Sequence, residues 1–249
     1  MSTLSPEVGR ALAADFASLA VLHDAELNAA LIAELRQVGF PESMAMLPCD
    51  DRAGDCRSAM ASALAMLPAA PDTACLDELA ADYAAIYLTA AYGASPSESF
   101  WLSDDHLVCQ EAMFELRKLY RTHGLAAPNW RRRPDDHLVY QLQFLARCLE
   151  LLAGDDDWRA VAGFLDFHLL RWLPDFSRRV AERCDTAFYA ALMLLTDAWC
   201  RQLRELIATH LDEVPPTPEE IAATLASRRV VQAEPVPLQF FPGGAGPSW

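Results

Sequence analysis

Glycine is scarce in this chain, with 10 among 249 residues, and no stretch alternates apolar and polar residues for long. Alternation with a period of two is typical of half-buried strands, so its absence argues against a sheet protein. Alanine and leucine, which favour helices, are abundant. The sequence therefore predicts a chain dominated by helices, with few or no strands.

Positive charge and long apolar runs are also in short supply. Lys and Arg number 20 against 35 Asp and Glu, which gives a formal net charge of -15. General binders of nucleic acid or of anionic membranes need a basic surface, so this balance favours a basic peptide or protein as partner. The longest apolar runs, such as residues 190–195, fall far short of the roughly 18 residues that span a bilayer. We expect neither nucleic-acid binding nor stable membrane insertion.

The seven cysteines are scattered from Cys49 to Cys200 and form no Cys-x-x-Cys pair. Their odd number, together with the lack of an apolar signal segment at the start of the sequence, is typical of reduced thiols. We therefore expect a cytoplasmic location.

Common catalytic and metal-binding motifs are absent as well. The sequence has no Glu-x-x-His pair, no His-Glu-x-x-His, no phosphate-binding Gly-x-x-x-x-Gly-Lys loop and no Gly-x-Ser-x-Gly elbow. Asp135, Asp136 and His137 are adjacent, and three successive residues at a helix start point in different directions. We expect no catalytic residue, no metal and no cofactor.

Apolar residues that recur at steps of three and four predict the helices. The predicted ranges are a pair over 6–38, then 56–67, 75–90, 103–123 with Ser103 as cap, 134–154 with Pro134 in its first turn, 155–173 ended at Pro174, 185–211 and 219–226. The stretch 125–133 combines turn formers with three arginines, which favours a hinge. The prediction is an all-α bundle in two halves, 1–124 and 134–226, joined by the hinge 125–133, with an extended or mobile tail over 227–249.

The stretch 134–145 has two interpretations from its residues alone. Asp135 and Asp136 stand at the start of an apolar helical pattern, where acids cap a helix and favour its dipole. His137 would then be a half-buried polar residue. The alternative is a binding site, in which the carboxylates and the imidazole face a ligand. The arginine triplet 131–133 is likewise typical of a solvated turn.

Three pieces of sequence, in order and spacing, resemble the TorD/DmsD family of cytoplasmic chaperones for redox-enzyme maturation. The segment 82–88 with the loop 95–101 is similar to the family's aromatic and Glu-Ser signature. Pro134-Asp135-Asp136-His137-Leu138 resembles its Pro-Asp-His-hydrophobic pattern, and 167–176 resembles its His-Leu, Trp and Pro-x-Phe region. Together these pieces cover about residues 75–210.

The resemblance implies a TorD-like helical chaperone that binds the twin-arginine leader and the apo form of a molybdenum-cofactor oxidoreductase, assisting cofactor insertion and delaying export. A leader presents arginines and an apolar stretch, so its receptor needs carboxylates beside an apolar groove. His137 would hydrogen-bond the peptide backbone and add pH sensitivity. The expected peptide-binding residues are Tyr83, Tyr87, Glu98, Ser99, Trp101, Pro134, Asp135, Asp136 and His137.

Some positions depart from the family pattern. This chain has Arg133, Gln141 and Gln143 where family members often carry acids, and Ser97 where they often carry Tyr or Trp. If these positions contact the client, the binding mode is shifted here.

Two other functions stay open from the sequence. One is a nucleotide- or metal-dependent enzyme that uses Asp136 and His137 as acid and base. The other is an assembly adaptor of a cytoplasmic reductase, similar to the NarJ branch. The hinge allows a domain-swapped dimer as well as a monomer.

Overall fold

The computed structural model describes residues 4–232, and helices make up most of this range. The α-helices are α1 (Pro6–Asp24), α2 (Ala29–Val38), α3 (Asp51–Met66), α4 (Thr73–Tyr83), α5 (Glu98–Leu102), α6 (Glu111–Thr122), α7 (Leu138–Glu150), α8 (Asp155–Phe164), α9 (Leu170–Ala181), α10 (Ala187–Leu211) and α11 (Pro218–Gln232). Ala84–Leu88 and Leu165–Leu169 are π-helical. Residues 4–232 contain no strand, only an isolated antiparallel bridge between Ser97 and His137. The all-α prediction is confirmed.

Short polar side chains start the first four helices. Ser5, Asn28, Asp50 and Asp72 each accept a hydrogen bond from a backbone N–H in the first turn of the helix that follows. These bonds satisfy donors that the helix itself leaves without a partner. Gly39, at φ 74°, ends α2 in the left-handed conformation that glycine adopts without strain.

Helix α1 packs closely along α7. A Cβ atom at Gly9 would lie 2.8 Å from the carbonyl oxygen of Leu149, so only glycine allows this approach. Residues up to Pro215 form one compact unit. Since α1 and α7 come from different predicted halves, the two halves share one core. The predicted division of the chain into two halves at 125–133 stays a prediction.

The apolar core of this unit is built around large aromatic side chains. The fully buried ones are Phe16, Trp172, Phe176, Phe188, Tyr189 and Trp199. They come from α1 and from the consecutive helices α9 and α10, which lie about 150 residues further along the chain. The apolar stripes predicted from sequence are therefore buried against each other.

The predicted start of α6 at Ser103 is wrong. Ser103 ends α5 by donating its N–H to the Ser99 carbonyl, and α6 begins eight residues later, at Glu111. His106 and Cys109, between them, have positive φ angles of 52° and 59°. This irregular segment is fixed from outside, because Gln110 N–H donates to the Ser99 hydroxyl at 3.1 Å.

Two proline predictions are also wrong. Helix α7 begins at Leu138, with His137 rather than an acid as its N-cap, so Pro134 precedes the helix. Pro174 lies inside α9 and does not interrupt it. The neighbouring Trp172 and Leu173 are fully buried. Their burial offsets the hydrogen bond that a helical proline forfeits.

Helix α11 belongs to a separate unit that begins at Pro216. It extends to Gln232, six residues beyond the predicted end at Ala226, so the first part of the predicted tail is helical. The rest of that tail lies outside the described residues. Across residues 4–232, the helices lack the length and apolar character that crossing a bilayer requires.

Candidate functional site

The two segments that carry the resemblance lie side by side. Ser97 and His137 form the antiparallel bridge, with Glu98 N–H donating to the Asp136 carbonyl at 3.1 Å. On the other side, Leu138 N–H donates to the Pro96 carbonyl at 2.8 Å. This backbone pairing fixes the starts of α5 and α7 against one another.

Asp136 is fully buried at this junction. Its Oδ2 accepts a hydrogen bond from Ser99 N–H at 2.8 Å, which satisfies a donor in the first turn of α5. Burial raises the pKa of the Asp136 carboxyl, and the nearby Glu98 adds to the rise. The Asp136 side chain therefore caps α5, although Asp136 itself stands just before α7.

Glu98 is also fully buried, and three side chains surround its carboxylate. Gln141 Nε2 donates to it at 3.1 Å, His168 Nδ1 lies 3.1 Å away, and Arg171 Nη1 is at 4.0 Å. Gln141 also donates to the Asp136 carbonyl at 2.9 Å, so it links both acidic residues. Gln141, a departure from the family pattern, thus has a structural role in this chain.

Asp135 is 2% exposed and is paired with Arg117, whose Nη2 lies 2.8 Å from Oδ2. The Arg117 guanidinium lies over the ring of Trp130, 4.8 Å from its centroid, and near Phe114 at 5.4 Å. Tyr120 hydroxyl donates to the Asp135 carbonyl at 3.1 Å. These contacts attach the hinge to α6.

His137 is 5% exposed, and its Nδ1 accepts a hydrogen bond from Val139 N–H at 3.2 Å. The neutral ring therefore carries its proton on Nε2. Burial, with Arg133 and His23 as further causes, lowers the pKa of His137 to about 3. The imidazole stays neutral between pH 5 and 8, so the expected pH sensitivity of binding through His137 is not supported.

A cavity of about 570 Å³ opens beside the bridge. Its lining combines aromatic, apolar and basic side chains. The lining residues are Tyr83, Tyr87, Leu88, Thr89, Ala90, Ser95, Pro96, Ser97, Val108, Asn129, Arg132, Arg133, Pro134, His137 and Tyr140. Leu88 and Val108 are 66% and 46% exposed, so they offer apolar surface to a ligand. We call this space the junction cavity.

The floor of the junction cavity is held by a buried histidine. Tyr87 hydroxyl lies 2.5 Å from His23 Nδ1, and His23 Nε2 lies 2.8 Å from the Thr196 hydroxyl. Since Thr196 donates to the Leu192 carbonyl, it accepts from His23 Nε2, and Tyr87 donates to Nδ1. Burial lowers the pKa of His23 to about 3. Tyr87 sits on the π-helical segment 84–88, a distortion that is frequent at functional sites.

The nine predicted site residues fall into two groups. Tyr83, Tyr87, Pro134 and His137 line the junction cavity. The other five, which do not line it, are Glu98, Ser99, Trp101, Asp135 and Asp136. Trp101 donates its indole N–H to the Ser95 carbonyl at 2.8 Å and packs against Phe176. Four of the nine thus share one cavity and the predicted carboxylates lie outside its lining, while peptide binding by any of the nine stays a prediction.

A second cavity of about 380 Å³ adjoins the first, and Arg133 and Tyr140 line both. It is lined by Asp24, Tyr120, Leu125, Ala126, Ala127, Pro128, Arg133, Tyr140, Gln143, Phe144 and Arg147. We call it the hinge cavity. Arg133 forms an ion pair with Asp24 at this boundary. No sequence motif marks Asp24, whereas Arg133 is both part of the arginine triplet and a departure from the family pattern.

Within residues 4–232, no group of three His, Cys, Asp or Glu side chains is placed to hold a metal ion. Asp135 and Asp136 are held by Arg117 and by Ser99 N–H. The Asp135 carboxylate and one oxygen of the Asp136 carboxylate are therefore engaged in protein contacts.

Comparison with known proteins identifies the family of the chain. The profile of the nitrate reductase delta subunit family matches residues 50–178, just over half of the chain. This range contains all lining residues of the junction cavity and, except for Asp24, all those of the hinge cavity.

Curated relatives carry the name chaperone protein TorD. The protein from Vibrio vulnificus strain YJ016 is 33% identical over 131 residues, 49% of this chain and 61% of its own length. The protein from Shewanella oneidensis is 31% identical over 137 residues, 52% of this chain and again 61% of its own length. The match thus spans about three fifths of each relative. The chain belongs to the nitrate reductase delta subunit family, in which its motifs and relatives associate it with the TorD chaperones.

Proposed function

We propose that this protein is a cytoplasmic chaperone for the maturation of a redox enzyme. In this proposal it binds the twin-arginine leader and the apo form of a molybdenum-cofactor oxidoreductase, assists cofactor insertion and delays export. The curated relatives are named chaperones, which supports the general role. Binding of the leader and assistance with cofactor insertion are the more specific parts of the proposal.

The observation that carries the proposal is the junction cavity. Its volume of about 570 Å³ lies in the range of small-ligand sites and suits a few side chains of a peptide. Tyr83, Tyr87, Leu88 and Val108 give it apolar and aromatic walls. His137, with its proton on Nε2, supplies a neutral hydrogen-bond donor that suits a peptide carbonyl.

The buried carboxylates have a supporting role in this proposal. Asp136 and Glu98 hold the starts of α5 and α7 together, and Asp135 holds the hinge through Arg117. They position the walls of the cavity instead of facing the peptide. In the Pro-Asp-His pattern, Pro134 and His137 then face the cavity, while Asp135 and Asp136 hold its walls.

Leader binding is testable at the mouth of the junction cavity. Leu88→Asp and Val108→Asp place a charge where an apolar leader segment would pack, on side chains that are 66% and 46% exposed. We expect each change to weaken binding of a synthetic twin-arginine leader peptide about tenfold in calorimetry. Leu47→Asp is the matched control, since Leu47 is 71% exposed and does not line the cavity. Unchanged affinity for both mouth variants would contradict this binding site.

Catalysis with Asp136 and His137 as acid and base has little support. Asp136 is fully buried and holds Ser99 N–H, while His137 accepts from Val139 N–H and has its pKa lowered to about 3 by burial. A general base works best with a pKa near the working pH. We therefore propose no enzymatic activity.

The family name favours one second candidate, an assembly adaptor of a cytoplasmic reductase. The two functions differ in what they require of the client. A chaperone that captures the apo enzyme through its leader should lose the precursor in co-purification when the leader is deleted, whereas an adaptor should retain it. Retention of a leader-deleted client would therefore favour the adaptor.

A further inference from the structure

Arg133 lies at the boundary between the junction cavity and the hinge cavity. Its Nη1 donates to the Asp24 carboxylate, and its Nη2 lies 3.3 Å from the Asp24 carbonyl oxygen. The guanidinium also lies 5.6 Å from the centroid of the Tyr140 ring. One arginine thus contacts a carboxylate, a carbonyl and an aromatic face.

Asp24 differs from the three carboxylates of the bridge region in its access to solvent. Its side chain is 45% exposed, whereas those of Glu98 and Asp135 are 0% and 3% exposed. Among the described residues that line the two cavities, Asp24 is the one with a carboxylate. An arginine of a ligand that enters here has this group as its accessible partner.

We propose that Asp24 receives a guanidinium of the client leader, and that Arg133 occupies this position in the free chain. The inference rests on the proposed function, because it assumes that the ligand is a twin-arginine peptide. Arg133 is then an internal substitute for the leader arginine, and binding replaces one guanidinium by another.

Replacing Arg133 by an arginine of the ligand costs little free energy. An ion pair with one side chain 26% and the other 45% exposed is worth at most about 1 kcal/mol, so it opens readily. The incoming arginine regains the contacts that Arg133 loses, including the face of Tyr140. Tyr83 hydroxyl donates to the Asp24 carbonyl at 2.7 Å, which fixes the receiving backbone. Leader side chains beyond the arginine then decide the net affinity.

A guanidinium fits this position better than an ammonium. The carboxylate of Asp24 and its backbone carbonyl are both acceptors, and Arg133 uses two nitrogens to reach them. Lysine carries its donors on a single nitrogen and lacks the planar fork with which two guanidinium nitrogens reach these separate acceptors. The geometry therefore selects an arginine over a lysine at the same charge.

The test is calorimetry with two synthetic peptides, one with an Arg-Arg pair before an apolar stretch and one with Lys-Lys in its place. Arg133→Ala frees Asp24 and should tighten binding of the Arg-Arg peptide about threefold to fivefold. Asp24→Asn should weaken it about tenfold and remove the preference over Lys-Lys. Asp24→Glu should restore part of the loss. Arg131→Ala is the control, because exposed Arg131 lines neither cavity.

The outcomes separate this inference from the proposed function. If the wild-type chain binds the Arg-Arg peptide and both Arg133→Ala and Asp24→Asn bind it equally well, the assignment to Asp24 is wrong while leader binding stands. If no form of the protein binds it, both proposals fail. Weaker binding by Arg133→Ala would overturn the inference and indicate that Arg133 itself contacts an anionic group of the ligand. Circular dichroism verifies that each variant is folded.

Discussion

The bridge region and the cavity boundary each hold carboxylates beside basic groups, but they differ in burial. Glu98 and Asp136 are fully buried and bind groups of the protein, whereas Asp24 is accessible and paired with a partly exposed arginine. Buried, hydrogen-bonded carboxylates are costly to disturb, and exposed ion pairs are not. The first region should therefore govern stability, and the second should govern binding.

The largest effect should come from acid, through two buried histidines under the cavity. Burial lowers the pKa of both His23 and His137 to about 3 from an ordinary value of 6.5. Below pH 6.5 the unfolded chain takes up protons that the folded chain refuses, so stability falls with falling pH until about pH 3. At pH 5 we expect a loss of about 2 kcal/mol for each histidine.

Urea unfolding at pH 7 and pH 5 measures this loss. In His23→Gln and in His137→Gln the difference between the two pH values should shrink by about 2 kcal/mol, whatever the stability of each variant at pH 7. The exposed His106 provides the control, since His106→Asn should leave the difference as it is. An equal pH dependence in all four proteins would show that these histidines are protonated in the folded state.

Asp136→Ala should have the next largest effect. The change leaves Ser99 N–H buried without an acceptor and opens space beside Glu98. We expect the free energy of unfolding to fall by about 2–3 kcal/mol, as measured in urea at pH 7. Asp104→Ala, at an exposed acid, is the control. A drop in leader binding without a loss of stability would reverse the roles given to the two regions.

Arg117→Ala should destabilise less. It removes the ion pair of the buried Asp135 and the cation that lies over Trp130. Because Arg117 is itself 20% exposed, water partly replaces it, and we expect a loss of about 1–2 kcal/mol. Thermal unfolding measures this loss, and Trp130 fluorescence should report the release of the hinge. Unchanged fluorescence would mean that other contacts hold the hinge.

The smallest stability effect should be at the cavity boundary. Arg133→Ala and Asp24→Asn should each change the free energy of unfolding by less than about 1 kcal/mol, because their ion pair is partly exposed. The same two variants are expected to change leader affinity in opposite directions. If either destabilises the protein as much as Asp136→Ala does, the pair is structural and the contrast between the two regions is lost.

Much of the helical content could be predicted from periodicity and capping residues. The helix pair 6–38 and the long α10 agree with the predicted ranges within a few residues. The misses have physical reasons. Ser103 has the residue type of a cap, but the backbone after it is held by Ser99 in an irregular segment. Pro174 usually marks an end, but the buried Trp172 and Leu173 stabilise the helix around it.

The candidate site was only partly predictable. The motifs identified Tyr83, Tyr87, Pro134 and His137, which line the junction cavity. No local pattern distinguishes a carboxylate that faces solvent from one that caps a neighbouring helix, so the sequence alone predicts Glu98 and Asp136 as peptide contacts. Asp24 lies in a region that matches no motif, at the end of α1, and carries no signal of its role.

The sequence by itself determined the helical class, most helix positions and the family, because these depend on residue types within a few turns of each other. The tertiary structure decided which charges are accessible. Asp24 and Arg133 are separated by 109 residues and meet only because α1 packs along α7 beside the hinge. Burial depends on such long-range packing, and burial determines whether a carboxylate stabilises the fold or remains available to a ligand.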